Sequence, residues 1–280
     1  GTSVAPGEGA PPEALTSQPG AEKEPDEKEP RVPKQAGLNR FVWNMRYPDA
    51  RKLKGDKSME DFERALAGPF AVPGTYRVRL RLPGGATSTA SFEIRKDPRT
   101  AATQQDLQAQ FDLLLAIRDK LTETHDAIER IREMRTQVGD TVKRVKALSG
   151  QSAQAGLRRL TRAAEPLKKK LTAIEDALVQ MRAQSRQDTL NYPIKLNAKV
   201  GMLVSVVGSA DAAPTKQSAE VFAYLSRRID EQLKGLRRLD DTGIKVFNRL
   251  ARQSGLPAIV GTMAARAPGQ RRPAAAAARK

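Results

Sequence analysis

The sequence of 280 residues is 39% hydrophobic and 29% charged, with a formal net charge of +17 and a pI of about 10.3. That length holds one or two domains, and the composition permits a folded core without requiring a large one. With no cysteine and a single histidine, disulfides, thiolate sites and two-histidine zinc sites are excluded; no apolar run approaches the ~20 residues of a membrane span, the best being residues 200–207.

Residues 1–36 are dominated by Pro, Gly, Glu and Lys and are acidic between Glu22 and Glu29. A segment so poor in apolar side chains cannot offset its ordering entropy, so a disordered acidic, Pro-rich linker is expected. It carries no signal-peptide pattern. A chain opening on Gly1 rather than Met is expected for a fragment.

Residues 37–97 read as a β module, where Phe41, Trp43, Tyr47, Phe62, Phe70, Tyr76 and Phe92 crowd together. Phe41, Trp43, Met45 and Tyr47 alternate with polar or small neighbours, the pattern of a first strand with a large apolar face. A short helix is expected from Met59 to Leu66. Tyr76, Val78, Leu80 and Leu82 then alternate with Arg77, Arg79 and Arg81, the chain turns at 83–85, and Phe92 and Ile94 return, which is a hairpin. Three strands are few against the roughly seven of a sandwich. The module is therefore read as a partial immunoglobulin-like unit with an open edge, its first strands lying upstream of Gly1.

From Thr103 the period becomes helical. Thr103 and Asp106 form a capping box. Leu107, Leu114, Leu121 and Ile128 recur every seven residues, and Ile117, Thr124, Ile131, Val138 and Val145 form a second heptad series, so one long helix is expected to about Leu148. Gly139 should weaken it locally by about 1 kcal/mol relative to Ala. A second helix follows Gly150, with Leu157, Leu160, Ala164, Leu167, Leu171, Ile174, Leu178 and Met181 on one side and Pro166 kinking it or restarting it. After a turn at 188–191, Pro193 suits the first turn of a third helix carrying Leu196, Val200, Leu203 and Val207. A fourth carries Phe222, Leu225, Ile229, Leu233, Leu236, Phe247 and Leu250. Residues 254–280 read as a disordered basic tail of Ala, Pro and Arg. The fold class is α+β, mainly α: the partial β module of 37–97 followed by a long antiparallel four-helix bundle over 101–253.

No catalytic, cofactor-binding or metal-binding constellation accompanies these elements. His125 is read as a surface histidine on a helix flank, and Asp126 beside it cannot face it on a helix. Glu129 with Arg130 and Arg132, and Glu133 with Arg135, read as solvated ion pairs. Phosphate loops are absent. The candidate binding residues are Trp43, read as core before sugar platform, and the basic patch Arg158, Arg159, Arg162, Lys168, Lys169 and Lys170. That patch has no interleaved aromatics and reads as a solvated face before a nucleic-acid surface.

Several strings, taken in order, resemble one family. They are AGLNRFVWNMRYP at 36–48, VPGTYRV at 72–78, RKDPR at 95–99, QAQFD at 108–112, LNYPIKLN at 190–197 and ADAAPT at 210–215. The set resembles the C-terminal region of large bacterial proteins with sortilin-like, BNR-type β-propellers, often labelled glycosyl hydrolases. The resemblance implies an exported, extracytoplasmic protein in which propellers precede an Ig-like domain and then this helical region. The glycosidase label belongs to the propellers, whose Asp-box signature is absent here, so no catalytic residue carries over. The resemblance does not cover the segment Arg51–Ala67.

The expected role is that of a non-catalytic structural or interaction region whose partners are the upstream propeller domains, with another protein or a glycan as further candidates. Two alternatives stand beside it: a basic nucleic-acid- or ribosome-associated binding protein, and a carbohydrate-binding accessory region of a glycosidase.

Overall fold

A computed structural model of the chain describes residues 33, 35–59, 64–82, 84–148 and 154–253. The expected linker at 1–36, apart from residues 33, 35 and 36, and the expected tail at 254–280 lie outside the described residues. The chain divides into two compact units, Gly1–Asn44 and Met45–Lys280. The second is mainly helical and contains one small antiparallel sheet.

The expected hairpin forms. Strand β1 (Gly74–Arg81) pairs with β2 (Thr87–Ile94), setting Tyr76 opposite Phe92, Val78 opposite Ala90 and Leu80 opposite Ser88. The Tyr76 and Phe92 rings stack at 5.9 Å.

The expected first strand does not form. Around Phe41–Tyr47 there is only an isolated bridge from Arg46 to Phe70. Met45 sits at φ 59°, in the left-handed region, which breaks the pleat that a two-residue alternation requires. Its carbonyl instead accepts from Ala71 N–H at 2.7 Å, and Tyr47 N–H donates to the Pro69 carbonyl at 2.9 Å. Phe41 and Met45 are exposed, and Trp43 is 38% exposed, so the core reading of Trp43 is corrected. The short helix expected at 59–66 falls partly on residues 60–63, outside the described set; the residues flanking them form turns.

Helix α1 (Gln104–Leu148) starts and stops as the pattern predicts. Asp106 N–H donates to Thr103 Oγ1 at 3.1 Å and Thr103 N–H to Asp106 Oδ2 at 2.8 Å, closing the capping box. Helix α2 (Gln154–Leu178) runs through Pro166 without a break, so the proline neither restarts nor ends it. Helix α3 (Leu196–Val207) begins three residues after Pro193, later than predicted. Helix α4 (Lys216–Leu239) is capped by Thr215, whose side chain accepts from Ser218 N–H. It continues through a π-helical segment, Asp240–Ile244, into α5 (Lys245–Gln253). The heptad positions of α1 meet the apolar sides of α2, α3 and α4 in one core, in which Ile117, Leu121, Ile128, Ile131, Leu171, Ile229 and Phe247 are fully buried.

Residues 45–59 and 64–71 lie as an irregular strap against these helices. Ala50, Leu53, Met59 and Ala65 join the core. The close approach depends on two glycines. A Cβ on Gly201 in α3 would meet Met59 Cε and Ala65 Cβ, and one on Gly68 would collide with the carbonyl oxygens of Tyr47 and Pro48.

Two substitutions test this packing. Gly68→Ala should cost about 1–3 kcal/mol, because backbone rather than a flexible side chain must yield. Leu171→Asp should cost at least about 3 kcal/mol by placing an unpaired carboxylate at a fully buried site. Urea unfolding at neutral pH reads both; an unchanged midpoint for Gly68→Ala would contradict the strap's seating.

Candidate functional site

The strap is irregular backbone, so its peptide groups need partners that a helix or sheet would supply internally. The side chains of α1 provide several. Arg118 Nη1 donates to the Pro48 carbonyl at 3.2 Å, Thr122 Oγ1 accepts from Arg51 N–H at 3.2 Å, and Arg132 Nη1 donates to the Lys54 carbonyl at 2.8 Å. From α3, Asn197 Nδ2 donates to Asp56 Oδ2 at 2.6 Å, while Asp56 Oδ1 accepts from the Ser58 amide and hydroxyl. The Tyr47 and Phe111 rings meet edge to face at 4.9 Å.

His125 belongs to this set. It is 1% exposed, not a surface residue as the helix position suggested. Its Nδ1 hydrogen bonds to the Arg51 carbonyl, which can only accept, so Nδ1 carries the proton. Nε2 is buried and has no hydrogen-bond partner among the described residues. Burial pushes the His125 pKa below the ordinary histidine value, and the Arg51 carbonyl and the charges of Asp56, Asp126 and Glu129 offset only part of that.

A second buried group was also unforeseen. Glu175 on α2 has a side chain only 3% exposed and is held by Arg132 Nε at 2.7 Å and Arg135 Nη1 at 2.5 Å, both from α1. Arg132 and Arg135 therefore pair across helices and not with the neighbouring Glu129 and Glu133, as expected. Glu133 meets Arg130 and Glu129 meets Arg51. A signal existed: Glu175 lies four residues after Leu171 and three before Leu178, inside the buried stripe of α2.

The sequence-predicted binding residues are not brought into one site. Trp43 lies in the first unit. Arg158, Arg159, Arg162, Lys169 and Lys170 are exposed on α2. Lys168 is half-buried, beside Gly139 of α1, and pairs with Glu165 at 3.4 Å. Among the described residues no group of His, Asp and Glu is arranged to hold a metal ion. An open depression on the first turns of α1, lined by Gln104, Gln105, Gln108, Ala109 and Asp112, offers a single carboxylate. No helix among the described residues is long and apolar enough to cross a membrane.

The hairpin presents an apolar surface. Val78 is 55% exposed, Leu80 51% and Phe92 40%, all on one face. Among the described residues neither outer edge of this two-stranded sheet is paired. Comparison with known proteins finds no matching family model, no matching curated protein and no matching solved structure.

The His125 geometry has a measurable consequence. The folded chain binds fewer protons at this site than the unfolded chain. Its contribution to stability is present in full above the unfolded value of about 6.5 and is lost as pH falls from there through the lower folded value. The melting temperature should therefore fall between pH 7 and pH 5 more steeply for the natural chain than for His125→Leu; parallel curves would rule out a buried neutral imidazole.

Proposed function

We propose that this chain is a non-catalytic interaction region of an exported bacterial propeller protein. In this reading α1, α2, α3 and the continuous α4–α5 form an antiparallel four-helix bundle. The hairpin is the surviving part of an Ig-like module whose remaining strands come from the preceding polypeptide. The bundle is the rigid base and the hairpin is the docking element.

The single observation that carries this is the uncovered apolar face of the hairpin. A two-stranded sheet alone is marginal in water, and an unpaired strand edge is a template for further strands. Val78 and Leu80, together with two edges that are unpaired among the described residues, have the form of a sheet awaiting cover. The ordered strings at 36–48, 72–78, 95–99 and 190–197 support the choice of occupant, since in the resembled family an Ig-like domain lies immediately before the helices. The helices add support of another kind: their buried polar groups, Glu175 and His125, tie helix to helix and helix to strap.

The test is hydrogen–deuterium exchange on this chain alone and within the longer polypeptide encoded by its natural gene. Peptides covering 74–94 should gain at least tenfold protection in the longer polypeptide, and Leu80→Lys should abolish the gain while leaving exchange in α1 unchanged. Equal exchange of 74–94 in both contexts would overturn the reading.

A further inference from the structure

The register of the helices gathers charge at one end. Arg135 of α1 meets Thr172 of α2, and Gly139 lies beside Lys168. Gly235 and Gly243 lie beside Ile174 and Leu167 of α2, respectively. The chain directions therefore bring the C-terminal end of α1, the N-terminal end of α2 and the C-terminal end of α5 to the same level. Over these stretches, 141–148, 154–164 and 244–253, the sequence contains no Asp or Glu.

The cations there are exposed. Lys143 reaches back to Asp140 at 3.6 Å and Lys245 to Asp241 at 3.0 Å, at the boundary of the stretch. Beyond them, Arg144 and Lys146 on α1 and Arg249 and Arg252 on α5 form no ion pair among the described residues. The same holds for Arg158, Arg159 and Arg162 on α2. The charge also continues in the sequence: residues 254–280 contain Arg266, Arg271, Arg272, Arg279 and Lys280 and no carboxylate. Elsewhere on the helices acids are interspersed with the cations, as with Lys120 beside Glu123 and Asp230, and this end differs in holding no Asp or Glu in its three stretches.

We infer that this end of the helices binds the phosphate backbone of a nucleic-acid duplex without reading its sequence. Three features choose that partner. Arg158, Arg162 and Lys169 recur along the outer side of α2 over about 16 Å, with one acid between them, Glu165, which pairs with Lys168; a row of this length follows a linear polyanion, whereas a bilayer would be met by a flat tip. Most of the cations are Arg, whose planar guanidinium matches phosphate oxygens two at a time. Phe247, the only aromatic residue in these stretches, is fully buried, so the stacking platform that single strands use is missing.

The experiment is a fluorescence-anisotropy titration of the full chain with a labelled 20-base-pair duplex at 50–300 mM salt. It compares the natural chain, Arg158→Gln/Arg159→Gln/Arg162→Gln on α2, and a charge-matched control, Arg77→Gln/Arg79→Gln/Arg81→Gln on β1. The plot of log affinity against log salt should lose about 2–3 units of slope in the α2 variant, about 0.9 for each phosphate contact removed, and no more than about 0.5 in the control. A shuffled duplex should bind equally well. Circular dichroism establishes that each variant is folded. Equal losses in the two variants would reduce the effect to overall charge and overturn the proposal. So would the absence of duplex binding at 50 mM salt, or an α2-dependent affinity for phosphatidylglycerol vesicles with no such dependence for the duplex.

Discussion

Burying the carboxylate of Glu175 constrains everything packed around it. An ionised carboxylate removed from water is stable only when its oxygens are occupied by well-placed donors, and taking one donor away leaves an uncompensated charge. Two guanidiniums from α1 meet that need. The one on Arg132 does more: its Nε holds Glu175, its Nη1 holds the Lys54 carbonyl of the strap, and its Nη2 lies 2.9 Å from the Met181 sulfur just after α2. One side chain thus fixes the rotation of α1 against α2 and the position of the strap at once. Apolar packing alone would tolerate a sliding helix pair; this charge triad does not.

The strap is the counterpart of that constraint. It has no ladder or helix of its own, and it persists because α1 presents hydrogen-bonding side chains at 118, 122, 125 and 132 along the side it covers. Its apolar residues then close the core from outside, with Gly68 and Gly201 removing the atoms that would hold it away. The helix therefore has two partners on different physical terms: apolar side chains meet the other helices, and polar side chains meet exposed peptide groups.

The sequence discloses local regularity far better than distant pairing. Helix α1 was legible from Thr103 to Leu148 because a capping box and two heptad series agree, and the hairpin was legible from strict alternation around its turn. The strand at 41–47 was misread because alternation says nothing of the backbone at Met45, whose positive φ ends the pleat. The strap was illegible for a different reason: its partners on α1 and α3 lie 70 to 140 residues away and follow no period. His125 inherits that difficulty, since its burial comes from the strap covering it. Glu175 is the exception that could have been found, because its place within the Leu171–Leu178 stripe marks it as buried. Of the candidate binding residues, those on α2 were legible as a patch, but their convergence with the ends of α1 and α5 depends on helix directions that only the fold supplies.

The π-helical turn between α4 and α5 corrects a phase error. At about 100° per residue an unbroken α-helix would place Ile244 roughly 80° around from Leu236. Five residues wound at the wider π pitch take up nearly that angle, and Ile244, Phe247 and Ala251 return to the buried side while Gly243 lets Leu167 approach. The turn works as a vernier, converting one surplus residue into alignment of two helical segments whose apolar repeats are otherwise out of step. Deleting one residue there would leave an ordinary α-helix with seven steps from Leu236 to Ile244, only about 20° out of line, whereas adding one would swing Ile244 and the α5 arginines about 100° around the helix axis, so the length of this turn sets both the closure of the core and the direction in which the charged end faces.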